Sequence, residues 1–263
     1  MRINQKGGAE VKYYEKLLEK GCFSREDLME LTGSMAAAQS LIYDYQRKNY
    51  IERVKRNLYV AVSLETKQPV CNRYQIGSRL FEDACISHHS AFEVYGYSNQ
   101  VFYECYVATA SRFADFEYDG VTYHRIEKKP WISTIKTGNV TVTSLEQTVV
   151  DSIRDFDKIA GLEEVIRCMM LVPSLKEKEL LKCLKANDNG FLYQKCGYVF
   201  EELQEELKLS DEFYKECKKF CPDSKRYLIK EEQENVWNEN WGIYTPGSIR
   251  KLIDKGVSDY DAI

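Results

Sequence analysis

The feature that most constrains this sequence is a series of helix start and stop signals crowded into its first sixty residues. Val11, Tyr14, Leu17 and Leu18 share one helical face and Gly21 follows them, which predicts a helix over 10–20 ended by a residue that tolerates the left-handed conformation. Ser24 with Asp27 three residues on is close to a capping box, and Leu28 and Leu31 give the second helix its apolar face before Gly33. Ser34 caps a third helix carrying Ala38, Leu41, Ile42 and Tyr45, with Arg47 and Lys48 in its negative last turn. Two β-rich runs within 50–62 then flank a polar tip at Lys55, Arg56 and Asn57. Helix, helix-turn-helix and hairpin in this order predict a winged helix-turn-helix over residues 1–65.

The remainder, 66–263, reads as a mixed α+β domain with a helical C-terminal part, so the fold class predicted for the chain is α+β. Residues 63–69 lack apolar periodicity and read as a linker. Helical spacing runs over 74–84 and 87–95, with Gly96 as a stop. Strands are expected mainly over 101–143: an aromatic run at 102–108, a hairpin around Asp119-Gly120 and another around Gly138-Asn139. Helices occupy 144–220, as separate segments over 145–153, 162–170, 175–185, 193–206 and 211–220. In the extension 221–263 a polar stretch, 230–240, precedes a last helix over 248–255.

Charge is distributed unevenly. The 263 residues carry a formal net charge of -4, yet residues 1–60 hold 11 Lys/Arg against 8 Asp/Glu, leaving 26 against 33 for the rest. A mildly basic head thus precedes an acidic body. With Ala38, Ile42 and Tyr45 facing a core, the third helix turns Ser34, Met35, Gln39, Ser40, Tyr43 and Arg47 outward. A second helix of this kind enters the major groove, where Gln39 is suited to adenine and Ser34 and Ser40 to phosphate or base edges. Lys55 and Arg56, with Asn57 beside them at the tip, supply sequence-independent attraction to phosphates. Winged helices also mediate protein contacts, so an interaction module without specific DNA binding is the alternative.

Enzymatic signals are weak. His88 and His89 are adjacent and point about 100° apart on a helix, which makes them poor joint metal ligands and leaves packing at a helix start as their expected role. Cys217 and Cys221 share a helical face without a Cys-x-x-Cys pair or a nearby histidine, and the nine cysteines read as reduced core residues of a cytoplasmic protein. Gly247-Ser248 followed by Asp259 and Asp261 imitates a nucleotidyltransferase site but lacks a later carboxylate, so a transferase or nuclease is the remote alternative. There is no Walker A loop, Rossmann glycine fingerprint, His-Glu-x-x-His or Gly-x-Ser-x-Gly. No apolar run approaches the ~18 residues of a membrane span, and the start lacks the apolar run of a signal peptide. The expectation is a non-enzyme without metal, cofactor or membrane partner.

Three segments carry a family resemblance. Ala84 to Gly96, containing Ile86-Ser87-His88-His89-Ser90-Ala91, resembles the Ile-Ser-His-x-Ser-Ala segment of the AbiE-type antitoxins of type IV toxin-antitoxin and abortive-infection systems. Val142 to Asp151 is similar to that family's segment ending Thr-Leu-Val-Asp, with Gln147 where the family has Arg, and Leu192 to Leu203, around Cys196-Gly197-Tyr198-Val199, resembles a third. Together with the N-terminal head the resemblance spans most of 10–205. It implies an autoregulatory repressor whose head binds the double-stranded DNA of its own promoter and whose body neutralises a co-encoded nucleotidyltransferase-like toxin, the catalytic carboxylates belonging to that partner.

Overall fold

A computed structural model describes residues 8–159, 161–229 and 235–250, the side chains of 8–12 excepted. It shows an α+β protein formed of two compact units. One takes in the chain up to Ile86 with Tyr103–Glu127 and Lys136–Thr141, and the other takes in Ser87–Phe102, Lys128–Ile135 and the chain from Val142 on.

The first unit begins α1 (Gly8–Lys20), β1 (Cys22–Phe23), α2 (Arg25–Thr32), α3 (Met35–Arg47), β2 (Ile51–Lys55) and β3 (Leu58–Ala61), with the three strands in the order β1-β3-β2. The capping signals act as read. Asp27 N donates to Ser24 Oγ at 3.2 Å while Ser24 N donates to Asp27 Oδ2 at 2.7 Å, and Gly33 ends α2 at φ +85°. Leu17, Phe23, Leu28, Ala38, Ile42, Tyr45, Ile51 and Tyr59 form the core here. Each large apolar side chain removed from water contributes roughly 1.5–3 kcal/mol. The segment 63–69 is a closed turn rather than a free linker: Ser63 N donates to Gln68 O at 2.9 Å, Lys67 N to Ser63 O at 2.8 Å, and Tyr14 OH to Val62 O at 2.6 Å.

Next comes α4 (Arg73–Gly77), far shorter than the helix expected over 74–84. Tertiary partners claim the rest of that segment, since Asp83 accepts from Thr109 Oγ1 and Ala110 N at 2.6 and 2.7 Å and Phe81 stacks on Phe113. The strands β4 (Cys85–Ile86), β5 (Glu104–Thr109), β6 (Phe116–Tyr118), β7 (Val121–Glu127), β8 (Thr134–Thr137) and β9 (Val140–Thr143) form a sheet of order β6-β7-β5-β4-β9-β8. Asp119 and Gly120, at φ +52° and +71°, make the tight turn between β6 and β7. β5 and β7 pair in parallel, from Glu104 opposite Thr122 to Thr109 opposite Glu127.

The second unit is mainly helical: α5 (His88–Tyr95), α6 (Leu145–Arg154), α7 (Gly161–Met170), α8 (Glu177–Asn187), α9 (Gly190–Glu202), α10 (Gln204–Leu207) and α11 (Asp211–Lys218). A small sheet of β10 (Arg226–Tyr227), β11 (Val236–Asn238) and β12 (Ile243–Thr245), ordered β10-β12-β11, stands where the sequence suggested a polar extension. Trp241 is buried against α9. A β carbon on Gly197 would come within 2.1 Å of its ring, so the close approach requires glycine. The expected last helix over 248–255 runs outside the described residues, as do Asp259 and Asp261. Among the described residues no helix is long and apolar enough to cross a membrane.

Candidate nucleic-acid interface

The amphipathic spacing of α3 decides which residues it presents. Ala38, Ile42 and Tyr45 are buried, and Ser34, Gln39, Ser40, Tyr43 and Arg47 are exposed. Tyr43 and Met35 stand 66% and 44% exposed, unusually open for large side chains. Ser34 also caps the helix, accepting from Ala37 N at 3.2 Å, so its hydroxyl is already partly committed.

The residues expected at the tip of the β2–β3 hairpin have different surroundings. Arg56 is exposed, but Lys55 turns inward: its Nζ lies 4.2 Å from the ring centre of Phe113 and 4.6 Å from that of Phe116, with Phe81 at 5.9 Å. Burial pushes the Lys55 ammonium down from its ordinary range, partly countered by Asp115. A buried ammonium cannot meet a phosphate, so Lys55 is corrected from a DNA contact to a cation–π anchor of the hairpin. The pairing register shifts between Arg53 and Lys55, which breaks the strand's alternation, so Lys55 turns inward while Arg53, two residues earlier, stays exposed, a basic residue that the reading of the tip passed over. Asn57 adopts φ +65°, and its amide is engaged with α2.

The second unit holds a polar network that sequence reasoning missed. Arg154 donates to Asp151 Oδ1 at 2.6 Å, to Asn187 Oδ1 at 2.8 Å and to Asp155 Oδ2 at 2.7 Å, and His88 Nε2 lies 3.4 Å from the same Asp155 oxygen. Burial alone would raise the Asp155 carboxyl, but hydrogen bonds from His88 and Arg154 outweigh it and hold the group well below its usual range. Burial pushes Asp151 up, against the pull of Arg154. His88 is fully buried and sits at φ +54°, a strained backbone for a bulky side chain. The adjacent His89 goes elsewhere, as the 100° divergence requires, to Glu164 at 3.0 Å. Asp151 and Arg154 lie three residues apart on one helix face, the one cue the sequence offered. None of the nine cysteines forms a disulfide, and seven are buried.

No protein-family model matches the chain, and no curated protein does. Among solved structures it is similar to the RV2827C protein from Mycobacterium tuberculosis, with 13% sequence identity and a TM-score of 0.64 over 96% of each chain. At that identity the likeness is one of fold.

Proposed function

We propose that this protein is a cytoplasmic DNA-binding regulator that represses its own promoter and acts as the antitoxin to a co-encoded nucleotidyltransferase-like toxin. One observation carries the DNA-binding part: the outer face of α3 presents Gln39, Ser40, Tyr43 and Arg47 together, beside a hairpin whose Arg53 and Arg56 are exposed. In this reading residues 1–65 act as a winged helix-turn-helix. α3 lies in the major groove with Gln39 on a base edge, while Arg47, Arg53 and Arg56 meet phosphates that fix the register. The antitoxin part rests on the resemblance of the 84–96, 142–151 and 192–203 segments, and on an acidic body suited to attracting a basic, RNA-handling partner. The protein itself catalyses no reaction in this reading.

The test is a mobility shift on duplex DNA from upstream of its own gene, beside a scrambled duplex of equal length, at several salt concentrations. Preferential binding that weakens steeply with salt is expected, because neutralised phosphates release counterions. Equal binding to both duplexes, with tight co-purification of the neighbouring gene product, would instead favour an interaction module.

A further inference from the structure

Two helices of the second unit each carry a pair of metal-ligating side chains one turn apart: His89 and Glu93 on α5, Glu164 and Cys168 on α7. Residues at i and i+4 lie on the same helix face. The fold brings these two faces together, and all four side chains are buried or nearly so. His89 Nε2 is 3.0 Å from Glu164 Oε1, Cys168 Sγ is 3.5 Å from that same oxygen, and the three donor atoms lie within 4.8 Å of one another.

We propose that His89, Glu164 and Cys168 bind one divalent transition-metal ion, with zinc as the reference ligand. A tetrahedral zinc ion with bonds of about 2.0–2.3 Å spaces its donors roughly 3.3–3.7 Å apart; the Cys168 to Glu164 separation of 3.5 Å falls in that range and the His89 to Glu164 separation of 3.0 Å needs to open by a few tenths of an ångström. Convergence is the second argument. Imidazole and thiol approach the same carboxylate oxygen, and Ser98 Oγ lies 3.3 Å from the same His89 nitrogen while giving its own proton to Gln100 O at 2.6 Å. Nitrogen, carboxylate, sulfur and hydroxyl therefore converge on one small region, where a metal ion would take the place of the protons that His89 and Cys168 present to Glu164, with Ser98 or a water as the fourth ligand.

Orientation and charge agree. Glu93 Oε1 lies 3.6 Å from His89 Nδ1, on the far side of the ring, where a carboxylate favours the tautomer that leaves Nε2 free to ligate. Among the described residues Glu164 has no ion pair except that with His89. One carboxylate and one thiolate neutralise a dipositive ion, the Cys168 proton leaving to solvent as the metal binds. The mixed nitrogen, oxygen and sulfur set selects zinc or cobalt over magnesium or calcium, which take oxygen ligands. Such an ion would clamp α5 to α7.

The experiment is a cobalt titration of the full-length, metal-stripped protein, followed by absorbance. The expected result is saturation at one equivalent with a thiolate-to-cobalt charge-transfer band, displaced by zinc. The band should be absent in Cys168→Ser and retained in Cys183→Ser, whose thiol is buried on α8. Should Cys168→Ser not fold by circular dichroism, Glu164→Gln replaces it and should weaken cobalt binding at least tenfold. Absence of the band in the wild type at excess cobalt overturns the proposal, as does a band that survives Cys168→Ser or an affinity unchanged by Glu164→Gln.

Discussion

Asn57 Nδ2 donates to Glu26 Oε2 at 2.6 Å, and Asn57 Oδ1 accepts from Arg25 N at 3.2 Å, so the tip of the β2–β3 hairpin is pinned to the first turn of α2. Asn57 also holds a left-handed backbone that asparagine tolerates better than most residues. Asn57→Ala removes both bonds and strains the backbone, at an expected cost of about 2 kcal/mol. Asn57→Gly loses only the bonds and should cost about half as much. Urea denaturation of the two variants measures the difference, and equal stabilities would show that the backbone conformation is not strained in alanine.

The inward turn of Lys55 separates two residues that are neighbours in sequence. Arg56→Ala should lower the slope of log affinity against log salt by about one, the loss of one phosphate contact. Lys55→Met should leave that slope unchanged, because its ammonium lies among Phe81, Phe113 and Phe116. Salt-titrated anisotropy on duplex DNA distinguishes them. A slope lowered by Lys55→Met would mean that the lysine leaves its aromatic site to reach phosphate.

What the sequence showed, and what it hid, follows from the range of the forces involved. Ser24, Gly33 and Ser34 act on their own neighbours, so α2 and α3 were legible, and the turns at Asp119-Gly120 and Gly138-Asn139 were legible for the same reason. Two-residue strands such as β1, β4 and β10 have no period to read, and α4 stops early because Asp83 and Phe81 are drawn to partners distant in sequence. The exposed face of α3 followed from its apolar spacing, whereas the fate of Lys55 depended on three phenylalanines brought in by tertiary structure. His89 and Glu93 stand at ligand spacing in the sequence. Their match to Glu164 and Cys168 exists only once α5 and α7 pack.

Gly197 faces the Trp241 ring with no room for a methyl group. Gly197→Ala should therefore destabilise the protein by about 1–3 kcal/mol despite the better helix propensity of alanine, since overpacking outweighs the gain. A lowered urea midpoint with loss of native tryptophan fluorescence checks this, and an unchanged midpoint would show that Trp241 shifts without cost.

Asp155 sets a pH dependence. Its folded carboxyl titrates below the unfolded value, so its stabilisation is present above about pH 4 and is lost as pH falls through the folded value. Asp151, pushed up by burial, acts in the opposite sense. Urea midpoints in the wild type should show no loss from Asp155 above about pH 4 and should fall as the pH is taken from about 4 to 2. In Asp155→Asn they should start lower at neutral pH and vary less. Parallel profiles would contradict the pairing with His88 and Arg154.

The central claim is that α3 reads bases. Its most direct test is fluorescence anisotropy of wild type and Gln39→Ala on a duplex from upstream of the gene and on a scrambled duplex, at fixed salt. The wild type should prefer its own duplex by about a thousandfold or more, and Gln39→Ala should lose about 1–3 kcal/mol on that duplex while binding the scrambled one as before. Equal wild-type affinity for the two duplexes, or an own-duplex affinity untouched by Gln39→Ala, would contradict it.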